Sequence, residues 1–144
     1  MKICMIGTGY VGLVSGACFS DLGNTVYCVD NDKTKIKLLN SGNIPIYEPG
    51  LEEIVKRNYN KKRLIFTDDL KTAIKNSKII FICVGTPTQK KSNKADLKYV
   101  FQVTKQLKKY IQNYKIIVTK STVPVTTGDK IEKILRKLKK KKLI

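Results

Sequence analysis

The sequence predicts a doubly wound α/β domain, in which helices cover both faces of a parallel sheet. Short apolar, strand-like runs alternate with segments of helical periodicity along the chain, which is the pattern of successive β-α-β units. One run, KIIFICVG at residues 78–85, is continuously apolar, as expected of a parallel strand buried on both faces. The 144 residues contain no internal repeat and no linker-like segment, so we expect one domain over residues 1–144.

The first part of the chain predicts a strand, a helix and a second strand. The strands are residues 2–7 and 25–30. The helix between them runs from Tyr10 to about Leu22, and a Gly-Asn pair ends it. Apolar side chains recur in it at helical spacing: Val11, Val14, Cys18 and Leu22.

Two further helices are predicted before the middle of the chain. Asp32 is placed to cap the first of them, which Gly42 ends. Residues 43–50 contain two prolines, which forbid regular structure there. The apolar positions of the two helices are Ile36 and Leu39, then Leu51, Ile54 and Val55.

The second half of the chain continues the alternation. Its strand candidates are residues 64–67, 78–85 and 115–121. Residues 68–76 predict a helix with Thr67 or Asp68 as its N-cap, and residues 86–95 predict a polar loop. Two amphipathic helices follow. The first carries a stripe at 3-4-3-4 spacing, and the second is marked by four apolar residues: Leu97, Val100, Thr104, Leu107 and Ile111, then Ile131, Ile134, Leu135 and Leu138.

Three glycines follow the first strand in the pattern G-x-G-x-x-G. In a dinucleotide-binding turn, Gly7 permits the tight turn, Gly9 lets the backbone approach a pyrophosphate, and Gly12 lets the next helix pack closely on the sheet. Gly16, one helical turn later, extends the face that carries no side chains. The N-terminus of the helix then offers free N–H groups and a positive dipole end to phosphate.

An acidic residue ends the second predicted strand. Asp30 follows Gly12 by 18 residues, within the range of the dinucleotide-binding fingerprint. Its carboxylate is placed to accept hydrogen bonds from both hydroxyls of the adenosine ribose and to repel the 2′-phosphate of NADP. Glycines and aspartate together predict a Rossmann-like domain that binds NAD; the alternative is a structural β-α-β turn without a ligand.

Charge distribution argues against specific nucleic-acid binding. The formal net charge of +18 lies entirely in residues 51–144, which hold 25 basic and 7 acidic residues. Nearly all the basic residues are dispersed lysines, which is typical of a solvated surface rather than of a sequence-specific reader. The C-terminal stretch IEKILRKLKKKKLI could alternatively bind a membrane surface or nucleic acid.

Other residue types narrow the function further. The chain contains no histidine, which excludes His-dependent catalytic triads and histidine zinc sites, and we expect no metal site. Its four cysteines show no C-x-x-C spacing, and we expect reduced, mostly buried thiols and a cytoplasmic protein. No apolar run approaches the roughly 20 residues that span a membrane.

Four motifs carry a resemblance to a known family. They stand in the family's order and approximate spacing: IGTGYVGLVSGACFSDLGNTVYCVDND (6–32), NIPIYEPGLEE (43–53), ICVGTPT (82–88) and TKSTVPVTTGD (119–129). The chain resembles the amino-terminal half of the UDP-glucose 6-dehydrogenases, within the wider group of UDP-sugar and GDP-mannose dehydrogenases. The resemblance implies an oxidoreductase that uses two NAD⁺ to convert UDP-glucose to UDP-glucuronate.

The same resemblance assigns the cofactor-binding residues. It assigns the pyrophosphate to the glycine turn and its neighbours: Gly7, Gly9, Tyr10, Val11 and Gly12. Asp30 then takes the adenosine ribose and Lys35 flanks it, while Thr86 and Thr122 meet the cofactor towards its nicotinamide end. Both threonines follow predicted strands, where α/β sheets bind ligands. Without the motifs, Lys35 reads as a surface lysine and the threonines as caps of loops or helices.

The chain departs from the family pattern at one residue and in its length. The family usually has glycine where this chain has Thr126, which puts the local geometry in doubt. The resemblance implies that the catalytic cysteine and the central and substrate-binding domains lie beyond residue 144. We therefore expect no catalytic residue in this truncated chain, with Thr122 as the one candidate contributor, and no activity of the chain alone.

Further expectations concern partners. By the resemblance, the full-length enzyme binds a UDP-sugar and forms a homo-oligomer, without specific nucleic acid or membrane binding. The alternatives are another nucleotide-sugar dehydrogenase, acting on a UDP-N-acetyl-hexosamine or GDP-mannose, and a non-catalytic NAD-binding Rossmann module.

Overall fold

Strands and helices alternate along the chain, as the sequence predicts. A computed structural model describes residues 1–89 and 92–136. Its strands are β1 (Lys2–Ile6), β2 (Thr25–Val29), β3 (Leu64–Thr67), β4 (Ile79–Ile82) and β5 (Ile116–Thr119). Its helices are α1 (Tyr10–Asp21), α2 (Lys33–Asn40), α3 (Leu51–Asn60), α4 (Leu70–Asn76), α5 (Lys98–Tyr110) and α6 (Thr127–Arg136).

The five strands form one parallel sheet in the order β3-β2-β1-β4-β5. Ile6, the last residue of the central strand β1, pairs with Val29 on one side and with Ile82 on the other. The carboxyl ends of β1, β2 and β4 therefore lie level. Because the strand order reverses between β1 and β4, the loops after these strands diverge, and a crevice opens at this switch point.

Two apolar clusters occupy the two faces of the sheet. One combines Leu13 of α1 and Val55 of α3 with Met5 of β1. The other combines Ile74 of α4 and Leu107 of α5 with β-strand residues that include Cys4, Ile80 and Ile82. Helices thus cover both faces, which confirms the doubly wound α/β prediction.

Helix α1 packs through a different face from the one that its large apolar residues suggest. Val11 is 46% exposed and Leu22 is 79% exposed. The residues that α1 buries are mostly small: Gly12, Leu13, Gly16, Ala17 and Ser20. A Cβ on Gly16 would lie 2.5 Å from Cys28 Sγ, so the close approach of α1 to the sheet depends on the absence of a side chain there.

Several predicted boundaries also differ. The N-cap of α4 is Asp69, whose carboxylate accepts a hydrogen bond from Thr72 N, rather than Thr67 or Asp68. Strands β4 and β5 are shorter than residues 78–85 and 115–121. Alternate β4 side chains are only half-buried, so the predicted burial of this strand on both faces is incomplete. Leu138 lies outside the described residues.

Asp32 caps α2 as predicted, since its carboxylate accepts a hydrogen bond from Lys35 N at 3.1 Å. This cap fixes Lys35 in the first turn of α2, beside the end of β2. No helix within residues 1–89 and 92–136 combines the length and the apolar character needed to cross a membrane.

Candidate functional site

A cleft of about 1050 Å³ lies at the carboxyl ends of β1, β2 and β4. Eight of the nine residues proposed from the sequence line it: Gly7, Gly9, Tyr10, Val11, Asp30, Lys35, Thr86 and Thr122. The ninth, Gly12, is buried beneath the turn. The topology therefore brings together residues from the segments that follow β1, β2, β4 and β5, at the place where α/β sheets bind ligands.

The turn between β1 and α1 is shaped by backbone packing. Gly7 has a φ of +104°, a conformation that L side chains rarely adopt, and its N–H donates to Val29 O at 2.7 Å. A Cβ on Gly12 would lie 1.8 Å from Gly7 O. Gly7 and Gly12 must therefore both lack a side chain for the turn to fold against the helix.

Gly9 has a different environment from the other two glycines. It is exposed at the N-terminus of α1, and an added Cβ would meet nothing within 4 Å. Gly9 is the N-cap residue, and no side chain caps the helix. The first N–H groups of α1 are therefore available to an anion in the cleft, with the positive end of the helix dipole behind them.

Asp30 is held in place by the turn and by α2. Its Oδ2 accepts hydrogen bonds from Thr8 N at 2.8 Å, from Thr8 Oγ1 at 2.7 Å and from Lys35 Nζ at 3.3 Å. Its Oδ1 accepts one from Asp32 N at 3.1 Å. The aspartate at the end of β2 is thus tied to the glycine turn and to Lys35.

These contacts also set the charge of Asp30. Burial raises the pKa of its carboxyl group, but the hydrogen bonds from Thr8 and Asp32 and the nearby Lys35 ammonium outweigh burial and leave the pKa below its ordinary value. Asp30 is therefore ionised at neutral pH and can accept hydrogen bonds from a ligand.

Thr86 and Thr122 meet on the opposite side of the cleft. Thr86 Oγ1 donates to Thr122 O at 3.0 Å, which joins the loop after β4 to the loop after β5. Ser121 Oγ adds a bond to Val84 O at 2.7 Å. Thr86 is half-buried and Thr122 is exposed, so both remain accessible from the cleft.

Sequence reasoning missed Thr8 and one wall of the cleft. Thr8 stands at a variable position of the glycine pattern, and only its complete burial and its two bonds to Asp30 reveal its importance. Four polar residues of α5 line the cleft: Tyr99, Gln102, Lys105 and Gln106. The available signal was their position on the helix, away from the apolar stripe.

The cysteines near the cleft are poor nucleophiles. All four are free; Cys4, Cys28 and Cys83 are buried, and Cys18 is exposed. Burial raises the pKa of Cys83, which lines the cleft, to about 11, although Lys120 lowers it. Burial also raises the pKa of Cys4 to about 12. A thiol with such a pKa is protonated at neutral pH. No cluster of three His, Cys, Asp or Glu residues in the described part of the chain could hold a metal ion.

The departure at Thr126 causes no backbone strain. Among the described residues, Lys62 is the only non-glycine residue with a positive φ. Thr126 is exposed, and its carbonyl accepts a hydrogen bond from Lys130 N at the start of α6. Threonine therefore fits this position without the backbone freedom of the usual glycine.

Together these features define the class of the protein. A glycine-rich turn at an open helix N-terminus suits a pyrophosphate, and an ionised aspartate at the end of the next strand suits a ribose. The fold and the site are those of a dinucleotide-binding domain of the Rossmann type. More specifically, the chain belongs to the UDP-glucose/GDP-mannose dehydrogenase family, whose NAD binding domain matches residues 1–143.

Individual relatives agree with this family. The chain is 54% identical over 136 residues to a UDP-glucose 6-dehydrogenase of Rhizobium meliloti, covering 94% of this chain and 31% of that protein. It is 52% identical over 139 residues to the UDP-glucose 6-dehydrogenase TuaD of Bacillus subtilis, covering 96% of this chain and 30% of that protein. The chain thus spans about a third of the length of these relatives.

A solved structure shows the same fold. The GDP-mannose dehydrogenase of Pseudomonas aeruginosa, crystallised as a ternary complex, superposes with a TM-score of 0.91 at 38% identity. The match covers 99% of this chain and 33% of that one. The family match and these relatives bear out the cofactor predicted from the glycines and Asp30, which is NAD.

Proposed function

We propose that the cleft holds NAD through the nine residues that the sequence indicates. The observation that carries this proposal is the junction of the glycine turn and Asp30. Thr8, between Gly7 and Gly9, donates two hydrogen bonds to the carboxylate. Groups suited to a pyrophosphate and to a ribose therefore lie side by side, as one end of a dinucleotide requires.

Each group has a definite role in the proposed site. The N–H groups at the start of α1, next to exposed Gly9, bind the pyrophosphate. Tyr10 and Val11 are 59% and 46% exposed, and they cover the same end of the cleft. Thr86 and Thr122 bind towards the nicotinamide end, which they can reach because their loops project from the ends of β4 and β5.

The charges around Asp30 support a preference for NAD over NADP. An ionised carboxylate repels a 2′-phosphate. Two lysines at the start of α2 lie close to acidic side chains: Lys35 Nζ lies 3.3 Å from Asp30 Oδ2, and Lys33 Nζ lies 3.9 Å from Asp68 Oδ2. Lys35 is therefore engaged by the Asp30 carboxylate itself, whereas the Lys33–Asp68 pair is exposed and weak.

We propose UDP-glucose 6-dehydrogenase as the activity to which this domain contributes. The support is the identity of more than half to two enzymes of that name over almost the whole chain. NAD⁺, when bound, accepts a hydride from the substrate. This chain's residues hold the dinucleotide and orient its nicotinamide end. GDP-mannose is the competing substrate, because a GDP-mannose dehydrogenase superposes closely.

We further propose that these 144 residues do not oxidise UDP-glucose by themselves. The cysteine of the cleft, Cys83, is buried, and its pKa is raised to about 11, so it does not supply a reactive thiolate. The chain also spans only about a third of the relatives that carry the activity. A cytoplasmic location, a homo-oligomeric assembly and the lack of specific nucleic-acid or membrane binding stay predictions.

Calorimetric titration of the chain with NADH and NADPH tests the cofactor site. We expect NADH to bind at least about tenfold more tightly, a difference of roughly 1.4 kcal/mol. Equal affinities, or no binding of NADH, would refute the proposed site.

A second experiment tests the activity. NADH absorbance is followed with UDP-glucose, GDP-mannose and a UDP-N-acetyl-hexosamine, for the chain and for the longest protein that its gene encodes. We expect no turnover by the chain and a preference of the longer protein for UDP-glucose. Steady turnover by the chain would contradict the proposal that it is inactive alone, and a preference for another sugar would replace UDP-glucose.

A further inference from the structure

We infer that Thr8 is a positioning residue that orients the Asp30 carboxylate towards the ribose, and that it thereby sets the preference for NAD over NADP. The inference rests on the proposed function of the cleft. It assigns a role to a residue outside the nine cofactor-binding positions. It also links two parts of the site that the sequence treats as separate, the glycine turn and the aspartate.

The two hydrogen bonds from Thr8 occupy the acceptor sites of one carboxylate oxygen of Asp30. Thr8 is fully buried, and its N–H and O–H donate to the same atom, Oδ2, at 2.8 and 2.7 Å. Lys35 Nζ is a third donor to that oxygen. A carboxylate offers about four lone-pair sites over its two oxygens. Oδ2 therefore has no capacity left for a ligand.

The other oxygen is left for the ligand. Within the described part of the chain, Oδ1 accepts a hydrogen bond only from Asp32 N, at 3.1 Å, and so retains a site for a ribose hydroxyl. Rotation of the carboxylate would break both bonds from Thr8. The sequence suggested that the carboxylate accepts both ribose hydroxyls. The geometry instead favours one hydroxyl on Oδ1, in an orientation that Thr8 fixes.

The same bonds keep the carboxylate ionised. Burial raises the pKa of Asp30, and the bonds from Thr8 lower it. The other charges around Asp30 come from two neighbouring segments. Lys35 and Asp32 lie at the start of α2, and Asp68, after β3, is paired with Lys33. Loss of the Thr8 hydroxyl leaves these charges in place and removes one donor, so Asp30 is protonated at a higher pH.

A purely structural role for Thr8 gives a different result. If Thr8 only filled the turn, its loss would disturb the pyrophosphate site that NADH and NADPH share, and both affinities would fall equally. If Thr8 orients Asp30, its loss weakens NADH selectively, because only NADH offers the free 2′-hydroxyl next to the carboxylate.

The test compares Thr8→Val, which keeps the shape of the side chain, with Thr8→Ser, which keeps the hydroxyl. Each variant is titrated with NADH and NADPH over a range of pH, and its thermal unfolding is recorded. For Thr8→Val we expect about a tenfold loss of NADH affinity, the order of one hydrogen bond to a charged group. NADPH affinity changes little, and the acidic limb of NADH binding moves to higher pH. Thr8→Ser restores the wild-type values.

Each outcome has a definite meaning. Wild-type NADH affinity in Thr8→Val, or an equal loss of both dinucleotides, overturns the inference. If Thr8→Val does not fold, Thr8→Ala against Thr8→Ser makes the same comparison. If the unchanged chain binds no NADH, the proposed function fails instead, so the two failures are distinguishable.

Discussion

The two sides of the cleft are built in different ways. The turn side comprises Gly7, Thr8, Gly9, Gly12 and Asp30. It is formed by backbone packing and partly buried hydrogen bonds, and Thr8 is fully buried within it. The threonine side comprises Thr86, Ser121 and Thr122. Its loops are joined by side-chain bonds to backbone carbonyls, from Thr86 Oγ1 to Thr122 O and from Ser121 Oγ to Val84 O, and Thr122 is exposed.

Because of this difference, we expect substitutions on the two sides to have different effects on stability and on NADH binding. On the turn side, the atoms that shape the proposed pyrophosphate site also hold α1 against the sheet, so most substitutions there change both stability and binding. On the threonine side, none of the three side chains belongs to the apolar clusters, so we expect substitutions to change stability little and to act mainly on binding. Gly9 is the exception on the turn side, because its added Cβ would meet none of the described atoms within 4 Å apart from those of its chain neighbours.

The largest effect is expected for Gly12→Ala. Its Cβ would lie 1.8 Å from Gly7 O, and backbone cannot move aside as a flexible side chain can. We expect the free energy of unfolding to fall by about 3 kcal/mol and NADH binding to be lost. Urea unfolding and calorimetry measure the two effects.

Gly128→Ala is the matched control, since Gly128 lies within α6 and an added Cβ would meet no described atom within 4 Å beyond its chain neighbours and its own helix backbone. It should gain up to about 1 kcal/mol of stability from helix propensity. Equal stabilities of the two variants would contradict the packing argument for the turn side.

The second largest effect is expected for Gly9→Ala. This variant should weaken NADH binding while leaving the stability of the turn side nearly unchanged. Gly9 has a φ of −76°, which alanine adopts readily. We therefore expect a change in unfolding free energy within about 0.5 kcal/mol. NADH affinity should fall about a hundredfold, because the methyl group occupies the space of the pyrophosphate. Unchanged affinity would place the phosphates elsewhere.

The third effect concerns Asp30→Asn. We expect NADH affinity to fall about tenfold and the preference over NADPH to shrink, because the amide neither repels a 2′-phosphate nor accepts as strongly. Calorimetric titration with both dinucleotides measures both changes, and an unchanged preference would remove Asp30 from the determinants of cofactor choice.

The pH dependence of the same variant has a definite sign. The pKa of Asp30 lies below its ordinary value of 3.8 in the folded chain. Its contribution to stability is therefore complete above that ordinary value, and it is lost as the pH falls through the lowered pKa. Acid unfolding of the unchanged chain should include this loss, and Asp30→Asn should lack it. If the acid unfolding curves of the unchanged chain and of Asp30→Asn are identical after correction for their difference at neutral pH, the lowered pKa of Asp30 is contradicted.

The smallest effect is expected on the threonine side. Thr86→Val removes the 3.0 Å bond to Thr122 O. Because this bond is solvent-exposed, unfolding free energy should change by about 0.5 kcal/mol or less, and NADH affinity should fall roughly threefold. Thr88→Val is the control, because Thr88 is exposed and does not line the cleft. A loss of stability in Thr86→Val as large as in Gly12→Ala would remove the contrast between the two sides.

The sequence predicts the local parts of this site well. The glycine spacing, the preceding strand and Asp30 form a short pattern. All the residues that this pattern requires lie close together in the sequence, so the pattern can be recognised without the structure. The order of strands and helices also follows from periodicity, because each apolar run is bounded by turn residues. Thr86 and Thr122 lie far apart in the chain, and they were found through the family resemblance and their positions after strands.

Other features depend on contacts that no local pattern records. The buried face of α1 was mistaken because small residues such as Gly16 and Ala17 make the closest contacts, while Val11 stays exposed. The N-cap of α4 was missed because Thr67, Asp68 and Asp69 are all capable of capping. The role of Thr8 depends on a partner 22 residues away.

The buried thiols allow local opening of this domain to be measured by their chemical labelling. Cys4, Cys28 and Cys83 are buried, whereas Cys18 is exposed on α1. A thiol-alkylating reagent should therefore label Cys18 in the native state and reach Cys4 and Cys28 only when the sheet separates from its helices. Mass spectrometry of the labelled chain then measures how often each face of the sheet opens, since Cys4 and Cys28 belong to opposite apolar clusters.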